Sequence, residues 1–330
     1  HLQHRSAQML WRKSLKPFLF VVLAILLFYF ILCLYIAFVA VGKKKKRTRQ
    51  SLEKILSNPS LSSEHEHARR YIERIETLEN AVSKTLTVES FDGLKLKAYY
   101  APCGKSTDTF VLLVHGYDSD AYTAFGSQIK FYKDLGYDVI VIDQRACGNS
   151  EGKYVTFAVN ESRDVADWCH YIASEFKNCK NIVLHGISLG GASVLLSLDK
   201  QLPSEVKCVI DDCGFDSPEG ILHHVLKKDY HLPSFIRKTA IIFCEILCKC
   251  RFRGVNTEDI LKNTDLPVLF IHGALDTYVP YYMSEDNYKA AKNPFEFYTV
   301  ADAHHANSFI LDESGCFSAV KRLLEQALQN

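Results

Sequence analysis

The chain has 330 residues, with 39 Lys and Arg against 38 Asp and Glu, a formal net charge of +1, 48% hydrophobic residues and 11 cysteines. That balance excludes a disordered polymer, a collagen-like chain, an acidic solvating tail and a nucleic-acid binder whose basic charge is spread through its fold. The length admits one large domain or two average ones, either with a substantial core.

Residues 1–17 form a basic flank carrying Arg5, Arg12, Lys13 and Lys16. Residues 18–41 (FLFVVLAILLFYFILCLYIAFVAV) then run almost wholly apolar, with no ionisable acid or base between Lys16 and Lys43. At about 1.5 Å per residue this segment reaches roughly 36 Å as a helix, enough to cross a hydrocarbon core of about 30 Å. A secretory signal peptide would have a shorter apolar core ending in small residues. This run ends instead at Gly42 and a wall of charge, Lys43-Lys44-Lys45-Lys46-Arg47, so a single-pass, uncleaved membrane anchor is expected. Basic residues after the span slightly outnumber those before it, which favours a cytoplasmic location for the domain that follows. Beside an apolar span the basic run suits anionic headgroups, and no nucleic-acid partner is expected.

Cys33 lies in the anchor and the other ten cysteines are scattered without a repeated short spacing, a pattern of reduced, mostly buried thiols. Cys244, Cys248 and Cys250 lack a matching His or Cys pair nearby, so no metal site is assigned to them.

Residues 42–80 read as a basic juxtamembrane segment and a lead-in helix, and residues 81–330 as the main folded domain. Two short strands are expected at 84–88 and 94–100, separated by Phe91-Asp92-Gly93. Apolar, β-branched runs follow at 110–114, 139–142, 182–184, 206–210, 268–271 and 295–300, and helix-length stretches such as 162–176 and 192–202 fall between runs. Repeated βα units with strands apolar on both sides imply a mostly parallel sheet covered by helices on both faces. Residues 217–262 carry no convincing strand, and an insertion of that length belongs over the carboxyl edge of the sheet as a cap.

Gly186-Ile187-Ser188-Leu189-Gly190 follows one strand run and precedes a helix. In a sharp strand-to-helix turn of this kind the middle side chain is pushed out of the sheet, and the flanking glycines avoid collision. Ser188 is therefore the candidate nucleophile. A serine hydroxyl needs a base, usually a histidine oriented by a carboxylate. Asp276 sits in the loop after the strand run at 268–271, and the adjacent His304 and His305 follow the last strand, so the chain order is Ser, Asp, His. Asp211 and Asp212 also end a strand and are the alternative positions for the carboxylate, though they read better as strand-end and capping residues. The backbone N–H groups of Leu189, at the start of the nucleophile helix, and Tyr117, in the loop His115-Gly116-Tyr117, are the candidate oxyanion donors.

The segments LLVHGY (112–117), VIDQRACGNSEG (141–152), HGISLGG (185–191), FIHGALDTYVP (270–280) and DAHHANSF (302–309) together resemble the α/β-hydrolase superfamily. More narrowly, the chain resembles membrane-anchored bacterial hydrolases of the serine-aminopeptidase-like and monoacylglycerol-lipase-like kind. The resemblance implies an α/β fold with an eight-stranded, mostly parallel sheet, a Ser-His-Asp triad, and neither cofactor nor metal. In those relatives the tail motif is a His followed by Ala, any residue and Ser, which assigns the base to His305. The function expected is a serine esterase of the carboxylesterase or lipase-like type, acting on a small-molecule or lipid acyl ester. A peptidase or amidase would use the same triad, with Glu219, Asp229 or Glu245 as candidates to hold a free amine. A non-catalytic, membrane-tethered binding protein on a hydrolase scaffold is the third class.

Overall fold

The computed structural model describes residues 2–43 and 46–329. Its strands are β1 (Lys84–Glu89), β2 (Lys95–Ala101), β3 (Thr109–Val114), β4 (Asp138–Asp143), β5 (Asn181–Ile187), β6 (Val206–Asp212), β7 (Val268–Gly273) and β8 (Pro294–Val300). They form one sheet in the order β1-β2-β4-β3-β5-β6-β7-β8. The β1/β2 and β2/β4 pairs are antiparallel and the others parallel. The helices are α1 (Leu2–Val41), α2 (Arg49–Leu56), α3 (His65–Ala81), α4 (Ala121–Ala124), α5 (Ser127–Asp134), α6 (Glu161–Glu175), α7 (Leu189–Leu196), α8 (Pro218–Lys228), α9 (Ser234–Cys248), α10 (Glu258–Leu261), α11 (Tyr281–Ala290), α12 (Ser308–Leu311) and α13 (Glu313–Ala327).

The two-residue repeat of a strand sends alternate side chains to opposite faces. In β3, Val111 and Leu113 join a core with Ile129 and Tyr132 of α5 and with Ala319 and Leu323 of α13. Phe110, Leu112 and Val114 enter the opposite core against α6 and α7. In α6 the buried residues Val165, Trp168, Cys169 and Ile172 recur at three- and four-residue spacing, which places them on one helical face. Every residue of β3, β4 and β7 is buried, as strands covered on both sides require.

Helix α1 is longer than the apolar run that predicted it, beginning at Leu2 and passing through Pro17. Residues 17–41 are long and apolar enough to cross a membrane. Along α1 the positions Tyr29, Cys33, Ala37 and Val41 recur every fourth residue and so form one stripe. Cys33, Ala37 and Val41 are fully buried, and the stripe packs on α9. Tyr29 stacks on Phe235 with ring centroids 5.8 Å apart and hydrogen-bonds Thr239 at 2.6 Å. Past the helix, the Lys43 N–H donates to the Lys153 carbonyl (3.0 Å), and the Val155 N–H donates to the Val41 carbonyl (2.7 Å). The apolar helix is thus fastened along its second half to the domain that follows.

The segment expected as linker and lead-in helix contains α2, a 3-10 turn at Pro59–Glu64 and α3. Leu78 of α3 is buried in the α5–α13 core, so α3 is part of the domain's packing. Between β6 and β7 the chain forms α8, α9 and α10. Ser217 caps α8 by accepting the Gly220 N–H, with Pro218 at the first helical position.

The loop after β4 is held by buried charge. Asp143 accepts the Tyr99 hydroxyl (3.0 Å) and the N–H groups of Ala121 (2.9 Å) and Asn149 (2.7 Å). Arg145, almost wholly buried, donates to Asp164 through Nε and Nη2, both at 2.6 Å, and to Asp92 at 3.0 Å. Removing one member of a buried pair strands the other charge. Arg145→Ala is therefore expected to destabilise the fold by about 3–5 kcal/mol, measured as loss of unfolding free energy in urea for the full-length protein in detergent.

Candidate active site

The position of the candidate nucleophile is dictated by the turn between β5 and α7. Ser188 has φ 56° and ψ −116°, a conformation that L-residues adopt only where surrounding structure enforces it. A Cβ at Gly186 would overlap the Gly190 carbonyl, and one at Gly190 would overlap the Val114 carbonyl, so both flanking positions exclude side chains. The Ser188 N–H donates to the Asp212 carbonyl at 2.7 Å, which fixes the turn against β6.

Asp276 sits in the loop after β7. Its Oδ1 accepts the N–H groups of Tyr278 and Val279, both at 2.9 Å, a local turn that orients the carboxylate. Its Oδ2 accepts from His305 Nδ1 at 2.6 Å and from His272 Nε2 at 3.2 Å. Burial opposes ionisation of Asp276, but the hydrogen bonds from the two histidines outweigh it and hold the carboxyl well below the usual carboxylate range. With Nδ1–H committed to Asp276, His305 presents the Nε2 lone pair to the Ser188 hydroxyl at 2.9 Å. His304 points elsewhere, its Nδ1 lying 3.0 Å from the Leu275 carbonyl. The structure brings Ser188, His305 and Asp276 into one hydrogen-bonded chain and leaves His304 outside it.

Leu189 opens α7, where backbone N–H groups have no intrahelical partner and the helix dipole is positive. Tyr117 follows Gly116, where an added Cβ would lie 3.3 Å from the Ser188 Cβ. The Tyr117 hydroxyl donates to the Ala40 carbonyl of α1 at 2.6 Å, so the loop carrying this candidate oxyanion donor is tied to the apolar helix.

His272 escaped the sequence reading. Its signal is the i, i+4 spacing to Asp276 across a strand end, but that spacing has meaning only once the loop curls back. Asp211 and Asp212 do not join the chain of three residues. Asp211 Oδ1 accepts the Gly214 N–H at 2.9 Å, and burial with the neighbouring Asp212 pushes its carboxyl up to about 8. Burial, with Asp276 close by, raises Asp212 to about 7. An acid whose folded pKa is raised adds stability that is complete below its unfolded pKa of about 4 and is lost as pH rises through the folded value. Between pH 6 and pH 9 the melting temperature of Asp211→Asn should therefore rise relative to that of the unmodified protein, read by thermal scans across that range.

Two cavities meet at Ser188. One, of about 500 Å³, is lined mainly by apolar side chains of α1 and α8. The other, of about 560 Å³, is lined by Arg47, Arg70, Arg74 and His67. Of the lid acids, Asp229 lies at the exposed rim of the apolar cavity, whereas Glu245 is paired with Arg253 (2.6 Å) and Glu219 faces His223 (3.7 Å). Among the described residues, one group of His, Cys and acid side chains has metal-binding spacing, Cys213 with Asp276 and His305. Two of its members belong to the hydrogen-bonded chain, and burial pushes the Cys213 thiol well above its ordinary value, which disfavours the thiolate that a metal requires. Cys244 and Cys248 are buried, with Sγ atoms directed at the Ala37 and Val155 carbonyls.

Residues 111–243 match the profile of the alpha/beta hydrolase family. The uncharacterized protein YqkD of Bacillus subtilis is 26% identical over 255 residues, covering 76% of this chain and 82% of YqkD. The uncharacterized membrane protein YNL320W of Saccharomyces cerevisiae is 25% identical over 218 residues, 64% of this chain and 70% of its own length. Among solved structures, the Pyrococcus furiosus esterase Pf2001 superposes with a TM-score of 0.62 at 22% identity, covering 76% of this chain and 94% of the esterase. The strand order, the strained serine turn and the match over residues 111–243 agree on an α/β-hydrolase fold.

Proposed function

We propose that the protein is a serine hydrolase that cleaves carboxylic esters, held to a membrane through residues 18–41 with its catalytic domain on the cytoplasmic side. The observation that carries this reading is the chain Asp276–His305–Ser188, with links of 2.6 and 2.9 Å, ending on a serine in a strained turn. His305 Nε2 takes the Ser188 proton as Oγ attacks the ester carbonyl, and the N–H groups of Leu189 and Tyr117 hold the oxyanion. Collapse breaks the ester C–O bond, and His305 returns its proton to the leaving alcohol. Water, deprotonated by His305, then releases the acyl group from Ser188. Burial of Asp276 at the back of His305 keeps the imidazole in the tautomer this sequence needs.

The esterase name of the Pyrococcus furiosus protein agrees with ester substrates for a site of this kind. The test is turnover of a panel of p-nitrophenyl esters beside aminoacyl p-nitroanilides by the full-length protein. Ester turnover is expected to exceed anilide turnover. Preference for the anilides would transfer the site to a peptidase, and binding without turnover of any member would make the protein a tethered binder.

A further inference from the structure

The apolar cavity beside Ser188 has an unusual wall. Leu32, Tyr35, Ile36, Val39 and Ala40 of α1 form one side of it, facing Leu222, Val225 and Leu226 of α8. These α1 residues lie within the run that is long and apolar enough to cross a membrane. Leu32 precedes Val41 by nine residues, roughly 13 Å along a helix axis, so the cavity accompanies the last turns of the span. Tyr35 and Val39 are also exposed on the outer flank of α1, so the cavity wall continues onto the surface that lipid would cover. Beside it, Phe235 and Ile246 of α9 expose further apolar surface. A soluble substrate needs no such flank. An acyl chain already in the bilayer does.

The second cavity is more polar and carries the cationic side chains Arg47, Arg70 and Arg74 beside apolar ones such as Ile187 and Phe309. Arg47 is held by Asp118 at 2.8 Å and Arg70 by Glu66 at 3.4 Å. Among the described residues no carboxylate pairs with Arg74, whose guanidinium is held by the Thr123 carbonyl (3.0 Å) and lies 5.9 Å from the Tyr71 ring centroid. Asp118 and Asp212 are the acids in this lining, the first engaged with Arg47 and the second wholly enclosed. Planar guanidinium groups recognise phosphate oxygens by paired, charge-assisted hydrogen bonds. Both cavities share Tyr117, Asp118, Ser188 and Tyr278, so an ester carbonyl at Ser188 has apolar space on one side and cationic space on the other.

We propose that the substrate is a long-chain acyl ester of a phosphate-bearing membrane lipid, its chain lying against the spanning helix and its phosphate in the arginine-lined cavity. The assignment rests on the serine-hydrolase reading above. Ser188 Oγ displaces the glycerol oxygen, that oxygen takes the proton held by His305, and water then releases a fatty acid. The products are the free acid and the deacylated glycerol phosphate.

The test uses full-length protein in phosphatidylcholine vesicles with three added substrates: 1-palmitoyl glycerol 3-phosphate, 1-butyryl glycerol 3-phosphate and 1-palmitoyl glycerol. The unmodified protein is expected to prefer palmitoyl over butyryl phosphate, and the phosphate over the neutral palmitoyl ester. Ile36→Trp, which fills the apolar cavity from α1, should lower the palmitoyl-to-butyryl ratio of kcat/KM by at least about 10-fold. Leu27→Trp, on the exposed face of the same helix away from the cavity, should leave that ratio unchanged. Arg74→Gln should lower the phosphate-to-neutral ratio by at least about 10-fold, with partial recovery in Arg74→Lys. Equal use of the short ester or of the neutral ester by the unmodified protein overturns the assignment, as do unchanged ratios in Ile36→Trp and Arg74→Gln. Fluorophosphonate labelling of Ser188 in every variant separates the two claims. Labelled protein without the ratio shifts defeats the substrate class alone, whereas folded protein that never labels defeats the hydrolase reading beneath it.

Discussion

Replacing Ser188 with alanine is expected to lower kcat on ester substrates by about 10⁵–10⁶-fold, with little change in KM or in melting temperature. The substitution removes the atom that forms the covalent intermediate, while the oxyanion donors and both cavities remain, so binding survives without turnover. The residual rate should still exceed the uncatalysed one by about 10³-fold, because the backbone donors at the start of α7 still stabilise the oxyanion formed when water attacks the carbonyl. The turn itself is held by Gly186, Gly190 and the Ser188 N–H bond to Asp212, none of which involves the hydroxyl. A drop in activity accompanied by unfolding would point to a structural role for the side chain. Circular dichroism beside the kinetic assay separates the two.

Asp276→Asn should cost about 10⁴-fold in kcat for a reason specific to this carboxylate. Oδ1 accepts two backbone N–H groups, from Tyr278 and Val279, and Oδ2 accepts from His305 and His272. An asparagine has one acceptor oxygen and one donor NH₂. The two fixed backbone donors draw the oxygen to the Oδ1 position, and the NH₂ then faces the imidazoles. His305 must accept at Nδ1 and carry its proton on Nε2, so the nitrogen facing Ser188 can no longer take the hydroxyl proton. KM should change little, since Asp276 is buried behind His305 and does not itself line either cavity. Loss of kcat with preserved KM in steady-state kinetics is the expected signature. An equal loss in both would place Asp276 in substrate binding.

Most strands were legible in the sequence because they are short β-branched or aromatic runs bounded by turn residues. The run at 139–142, for example, is the centre of β4, Asp138–Asp143, and the run at 268–271 is most of β7. Ser188 was legible because Gly186 and Gly190 are local requirements of one tight turn. His305 was chosen over His304 on a motif, and its contact with Ser188 depends on the whole sheet bringing β5 and β8 ends together, which adjacent histidines do not encode. The contact of His272 with Asp276 is local, but it forms only because the loop after β7 curls back, which the spacing of four residues does not encode.

The largest omission concerns α1. Hydropathy recognises an apolar segment but cannot say which face is covered by protein, because Cys33, Ala37 and Val41 read like any other residues of an apolar run. Their burial against α9 emerges only from the fold, and with it the contribution of Leu32, Ile36 and Ala40 to a cavity at the serine. The basic flank at 1–17 concealed a continuing helix through Pro17, whose missing N–H removes one bond from a helix that continues on both sides. The interval at 217–262 was read from the absence of strands, so its helices and their apolar contact with α1 were beyond reach of the same pattern.

The central claim is that His305, oriented by Asp276, makes Ser188 a nucleophile. Its most direct test is treatment of the folded full-length protein with a fluorophosphonate, followed by peptide mass spectrometry of the adduct. A single adduct on Ser188 is expected, formed rapidly in the unmodified protein and slowed by at least about 10³-fold in His305→Ala. A folded protein that gives no adduct, or one modified at another residue while Ser188 stays free, would contradict it.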